Sequence, residues 1–262
     1  MKLNDFILTE QYLEEQLQYL PEGIADVIRK LPTKYKKATI AAAIVLFPTF
    51  ATNFSIQQLK DIKNAVNNIS DEYVKKVVQL LPVTEEDKEI KITKQQLLRA
   101  VDAQLKLHKQ EKEKRETYTS TISDIFKGAN KEVIAQVVDL AHKYQRPDFP
   151  RAEDILSVVA IESSFNPKSV SKLKKDPAIG LTQIRPGMWK IPKEELKDIE
   201  NQIKHGVNIL SQYYDKLKDK KSAIVAYNKG IAAYKKGDFD TKYLDKFQRH
   251  YTMLFGKKKH KS

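Results

Sequence analysis

Asp154-Ile155-Leu156-Ser157-Val158-Val159-Ala160-Ile161-Glu162-Ser163-Ser164-Phe165-Asn166-Pro167 is the stretch on which the reading of the whole chain turns. Ile155, Val158, Val159 and Glu162 recur at i, i+3, i+4 and i+7, the spacing of one helix face, so the carboxylate continues an apolar stripe. Partial burial disfavours the ionised form and predicts an acid that still holds its proton near neutral pH. The alternative is a helix end whose last acid turns to solvent, with Asn166-Pro167 acting only as a stop. Periodicity leaves both open, because it does not fix the facing of a terminal residue.

The 262 residues suffice for one large or two modest domains. There is no cysteine, which excludes a disulfide framework, a thiolate nucleophile and a thiolate metal site. His108, His142, His205, His250 and His260 show no ligand spacing, so neither a metal nor a cofactor is expected. The formal net charge of +13 is uneven: residues 1–125 carry 19 Lys and Arg against 18 Asp and Glu, whereas residues 126–262 carry 28 against 16. The Glu162 half therefore favours a polyanionic partner, whether nucleic acid, an anionic membrane surface or envelope carboxylates and phosphates. Lys257-Lys258-Lys259-His260-Lys261 has no interleaved aromatics, which favours adhesion to envelope polymers over specific nucleic-acid binding.

Residues 1–115 read as a run of helices forming an N-terminal domain, residues 116–121 as a linker, residues 122–256 as a second domain and residues 257–262 as a basic tail. Residues 38–51 form the most apolar run. It is shorter than the roughly 20 residues a spanning helix needs, so a buried central helix is expected, with membrane insertion as the alternative. Ser70 is placed as a helix cap, Leu59, Ile62 and Val66 on one helix, and Ile199 to Leu217 on a long amphipathic one in which Gly206 admits a close neighbour. Ser222 is read as the cap of a short helix from Ala223 to Asn228. Asp176 to Trp189, with its glycines and prolines, is expected to form a small hairpin or irregular wall and not a helix.

Three segments stand in order: Glu162-Ser163-Ser164-Phe165-Asn166-Pro167, Gly180-Leu181-Thr182-Gln183-Ile184, and Ala226-Tyr227-Asn228-Lys229-Gly230. Together they resemble the signature of soluble lytic transglycosylase domains, relatives of goose-type lysozyme that cleave the glycan strands of peptidoglycan. The resemblance covers roughly residues 120–256 and takes in none of residues 1–115. It implies a mainly α, lysozyme-like catalytic domain with a small hairpin, preceded by a separate helical domain. Thr182 departs from the usual methionine, Arg185 stands where another methionine is common, and Asp176-Pro177 displaces a glycine often found before Ala178. The first two are expected to change the shape and charge of the cleft.

Carried over by position, the resemblance makes Glu162 the catalytic acid/base and Ser163 a residue that positions it or the substrate. Gln183, Tyr227 and Asn228 become substrate-binding residues, with the Tyr227 hydroxyl offered to Glu162 or to the sugar's acetamido group. As isolated residues, these are also read as an ordinary core tyrosine, turn polars and a helix-end serine. Asp176 is the one candidate for a second carboxylate, or else a turn former. Phe165 and Trp189 could floor a sugar subsite, or else are core. The implied reaction breaks the β-1,4 bond between N-acetylmuramic acid and N-acetylglucosamine and leaves 1,6-anhydromuramic ends; hydrolysis, or a non-catalytic glycan-binding virion protein, is the alternative. Met1-Lys2-Leu3-Asn4-Asp5-Phe6 does not read as a secretion signal. That leans the expectation toward a phage-borne enzyme, virion-carried or released by lysis, acting on the wall, with residues 1–115 making virion or oligomer contacts.

Overall fold

The structure, a computed structural model, describes residues 14, 17–20, 22–31, 33–46, 54–80, 93–239 and 241–256. Two compact units divide the chain, Met1–Glu113 and Lys114–Ser262. The basic tail, residues 257–262, lies outside the described residues.

In the first unit, α1 (Glu22–Lys30), α2 (Thr33–Leu46), α3 (Ile56–Asn67) and α4 (Asp71–Leu80) are followed by α5 (Lys94–Ile125). Ser55 opens α3 through a reciprocal capping box with Gln58, and the Tyr73 amide donates to the Ser70 hydroxyl at the start of α4. Every residue from Ala38 to Ile44 is 0–1% exposed, with α2 packed against α1, α3 and α4. A helix apolar on all sides is thus buried in protein, and no described helix is long and apolar enough to cross a membrane. Of the run 38–51 weighed for membrane contact, residues 38–44 are buried within this unit, and residues 47–51 lie outside the described set.

The expected linker is corrected: residues 116–121 are helical, inside the single helix α5. Its charged stretch spaces Lys109 with Glu113, Glu111 with Arg115 and Lys112 with Glu116 at i, i+4, which supports a solvated helix. Beyond it Tyr118 and Ile122 reach the core of the second unit, so packing carries the helix through residues of indifferent propensity.

The second unit contains α6 (Lys131–Tyr144), α7 (Ala152–Ser163), α8 (Pro186–Trp189), a 3₁₀ turn (Glu195–Lys197), α9 (Ile199–Leu217), α10 (Lys220–Lys229), α11 (Ile231–Lys235) and α12 (Lys242–Phe255). α7 packs against α6, α9 and α12. Ile155, Leu156, Val159 and Ala160 join a core with Ile134, Val137 and Ile203. Val158 enters a second core with Leu210, Ile224 and Phe247. The apolar positions of α7 therefore divide between two cores and do not make one stripe, as befits a helix apolar all round.

Among the described residues there is no strand. The expected hairpin reduces to isolated antiparallel bridges, Val170 with Ile179 and Ile179 with Ile184. After it comes a helical turn, α8, where a non-helical wall was expected: Pro186 occupies its start, and the Asp176 carboxylate accepts from the amides of Gly187 and Met188. The cap of α10 is Asp219, which accepts from the Ser222 amide and hydroxyl, so the helix begins three residues before Ala223.

Candidate active site

Glu162 occupies the last turn of α7, where the fully buried run Ile155 to Ala160 gives way to half-buried residues. The chain leaves the helix through Ser164 (φ 50°) and Phe165 (φ 63°), both in the left-handed region. That conformation is uncommon for a residue as bulky as phenylalanine. Phe165 is held in it by burial to 1% exposure and a ring contact with Phe126 at 5.2 Å.

The Tyr243 hydroxyl, from the first turn of α12, donates to Glu162 Oε1 at 2.5 Å. Burial pushes the Glu162 carboxyl up, and the Tyr243 bond and the Lys246 charge pull it down; burial wins, leaving it at about 7. No other carboxylate acts on it among the described residues. Burial, and then the nearby Glu162, also raise the Tyr227 and Tyr243 hydroxyls, so neither phenol ionises near neutral pH.

A polar hub fixes the wall that follows α7. Gln202, 1% exposed on α9, accepts from the Leu181 amide at 2.7 Å and donates to the carbonyls of Leu196 and Pro167 at 2.7 and 3.1 Å. Gly180 (φ +80°) lies so close that a Cβ there would sit 2.3 Å from the Gln202 amide carbon. Thr182, 2% exposed, donates to the Gln202 carbonyl at 2.8 Å. Its side chain lies where a Cβ on Gly206 would be, 2.6 Å from the nearest atom, which is the close approach predicted for that glycine.

The candidate residues separate accordingly. Ser163 does not face outward: its hydroxyl donates to the Leu181 carbonyl at 2.9 Å, with that of Val159 3.1 Å away, tying the end of α7 to the wall. Gln183 is half-buried at φ 49° and donates to the carbonyls of Gly180 and Ser169 at 2.9 and 3.2 Å. Tyr227 does not bond Glu162; its hydroxyl donates to the Thr182 carbonyl at 2.8 Å. Asn228 is exposed in the last turn of α10. Both oxygens of Asp176 are engaged with α8, and Arg185 Nε lies 3.4 Å away, so the candidate second carboxylate is a helix cap. Phe165 is core, not a sugar floor. Trp189 is half-buried with its ring 5.9 Å from Tyr213. Thr182, buried against α9, does not shape the cleft surface as its position in the motif suggested.

Residues 143–248 match the family model described as the transglycosylase SLT domain. The chain carries an SLT domain. Its all-α architecture is that of a lysozyme-like SLT domain, and the match supports a lytic transglycosylase-type activity on peptidoglycan, hence action at the cell wall. No curated protein and no solved structure matches the chain. Residues 1–142 lie outside the SLT match, whereas Glu162, Ser163, Gln183, Tyr227, Asn228 and Tyr243 lie within it. Tyr243 is the residue sequence reading missed in this SLT domain. The one signal the sequence carries is its recurrence with Phe247 at i, i+4, which fits a buried helix face and does not point to Glu162.

Proposed function

We propose that the SLT domain cleaves the β-1,4 bond between N-acetylmuramic acid and N-acetylglucosamine without water, with Glu162 as its single general acid and base. The observation that carries this is a carboxyl raised to about 7 whose Oε1 is already taken by Tyr243. Oε2 is then the atom left to carry the proton toward the glycosidic oxygen.

Protonation of that oxygen lets the C1–O bond break, and positive charge develops at C1 of the muramoyl ring. With Asp176 occupied in capping α8, the sugar's own acetamido oxygen supplies the electrons that hold C1. Glu162, now ionised, takes the proton of the C6 hydroxyl as O6 closes on C1 and the C1 bond to the acetamido oxygen breaks, its electron pair returning to the acetamido group. The carboxyl returns to its starting state and the ring leaves as a 1,6-anhydro end. Tyr243 serves both halves, since its hydroxyl orients the acid and stabilises the carboxylate that follows. Ser163, Thr182 and Tyr227 position the wall that follows α7; the exposed Asn228 offers an amide, and Gln183 its carbonyl oxygen, to sugar hydroxyls and acetamido groups.

The test is product analysis on purified peptidoglycan with the full chain and with Glu162→Gln. Anhydromuramic ends from the native chain and none from the variant are expected. Reducing muramic ends in their place would assign the site to hydrolysis, and an undiminished rate in the variant would remove Glu162 from the chemistry.

A further inference from the structure

Lys246 stands one turn after Tyr243 on α12, at i+3, on the side of the helix whose hydroxyl holds Glu162. Its neighbour Phe247 is buried at 6% exposure, while Lys246 itself is exposed. α12 packs directly on α7, and the ammonium is near enough for its charge to act on Glu162. Some cations of this unit are matched, Lys114 with Glu153, Lys143 with Glu200, Arg146 with Asp215 and Lys229 with Asp238. Lys246 forms no ion pair among the described residues.

An exposed ammonium on a four-carbon stem is a poor device for holding Glu162 ionised. Burial outweighs it, and the carboxyl stays at about 7. What such a group does well is meet an anion arriving from solvent, since it is compact, mobile and strongly charged.

We propose that Lys246 reads the charge of the substrate, its ammonium taking a carboxylate carried by the muramoyl residue at the scissile bond. The proposal rests on the reaction given above and deepens it by naming the feature of the strand that is selected. A muramoyl ring presents a carboxylate in one of two ways: as the bare lactyl acid at C3 or, where that acid is amidated by a stem peptide, as the carboxylates of the peptide. The chemistry at Lys246 is the same for both.

The experiment compares the full chain bearing Glu162→Gln, which cannot turn over, with the same chain also bearing Lys246→Met or Lys246→Arg. Binding is measured on soluble glycan strands of three kinds: peptide-free with lactyl carboxylates, peptide-bearing, and peptide-free with every carboxylate converted to a methylamide. Lys246→Met is expected to weaken binding about fivefold on a carboxylate-bearing strand, the scale of one partly solvated ion pair. It should also flatten the salt dependence, leave the methylamide strand unaffected, and be rescued by Lys246→Arg. Loss confined to peptide-free strands names the lactyl acid; loss confined to peptide-bearing strands names the stem peptide. Equal loss on methylamide strands, or no loss on either charged strand, overturns the proposal. In the otherwise native chain, a shifted pH limb of turnover with unchanged preference between charged and methylamide strands would also overturn it, by assigning Lys246 to Glu162. Absence of turnover by the native chain would count against the reaction alone, because the binding comparison does not depend on it.

Discussion

Replacing Glu162 by glutamine should stabilise the SLT domain, and by an amount that depends on pH. The carboxyl stands at about 7 in the folded chain against 4.5 for an ordinary glutamate. The folded state therefore holds the proton more tightly than the unfolded one, and the native chain loses stability as pH rises from 4.5 through 7. At about 1.4 kcal/mol per pH unit, and discounted for solvent reaching a half-buried group, the loss above neutrality is about 2–3 kcal/mol. Glutamine has nearly the same shape, keeps an acceptor for the Tyr243 hydroxyl and does not titrate. At pH 8.5 its melting temperature should exceed that of the native chain by roughly 4–12 °C, with the difference vanishing below pH 4.5. Trp189, the single tryptophan, lies in this unit against Tyr213, so its fluorescence follows this transition. A difference that is flat with pH, or a variant less stable than the native chain at pH 8.5, would refute the claim that burial at the end of α7 is what keeps the acid protonated.

Three further outcomes follow from other contacts. Tyr243→Phe removes the hydroxyl that favours the ionised carboxyl, so the alkaline limb of turnover should move up by about one to two pH units while the maximal rate falls; an unmoved limb would show that the bond does not set the acid's proton affinity. Gln202→Leu strands the Leu181 amide and the Leu196 and Pro167 carbonyls and should cost about 3–6 kcal/mol in denaturant unfolding; a cost under about 1 kcal/mol would deny the hub its role. Glu153 behaves oppositely to Glu162: burial raises it, but the Tyr118 hydroxyl and Lys114 outweigh burial and bring it down to about 2. Its stabilisation is present above pH 4.5 and lost as pH falls toward 2, so Glu153→Gln should cost about 2–3 kcal/mol at pH 7, with the gap closing in acid; a gap that persists at pH 2 would point to lost packing instead.

A repeating apolar face or a cap such as Ser70 made α3, α4, α7 and α9 legible locally, whereas the Ser55 and Asn130 caps emerge only in the structure. The continuation of α5 through 116–121 was not legible: what decides it is the docking of Tyr118 and Ile122 on residues far along the chain. Glu162 could be singled out, since an acid ending a wholly apolar helix is conspicuous. Its partner could not. Tyr243 lies 81 positions away, and nothing local distinguishes it from Tyr227, which has the more suggestive neighbours yet donates to Thr182. For Asp176 and Phe165 the sequence left two readings open, cleft residues or else a turn former and a core ring, and the Asp176 bonds to α8 and the contact between Phe165 and Phe126 decide for the second.

The two glutamates of α7 titrate in opposite directions because they stand at opposite ends of one helix. Glu153 sits in the first turn, where the helix dipole favours negative charge, and a phenol and an ammonium both donate to it. Glu162 sits in the last turn, where the dipole disfavours that charge, with one phenol at Oε1 and an exposed ammonium, Lys246, that makes no ion pair with it. In surroundings like those of Glu153, Glu162 would be ionised near neutral pH and would hold no proton to give a leaving group. The chain can turn away from the C-terminal end of α7 only through the left-handed conformations of Ser164 and Phe165, which cost about 1–3 kcal/mol each. Burial of the Phe165 ring, worth about 1.5–3 kcal/mol, offsets that strain at its own position. A ring that reads as a substrate contact in the sequence is thus what keeps the acid where it is.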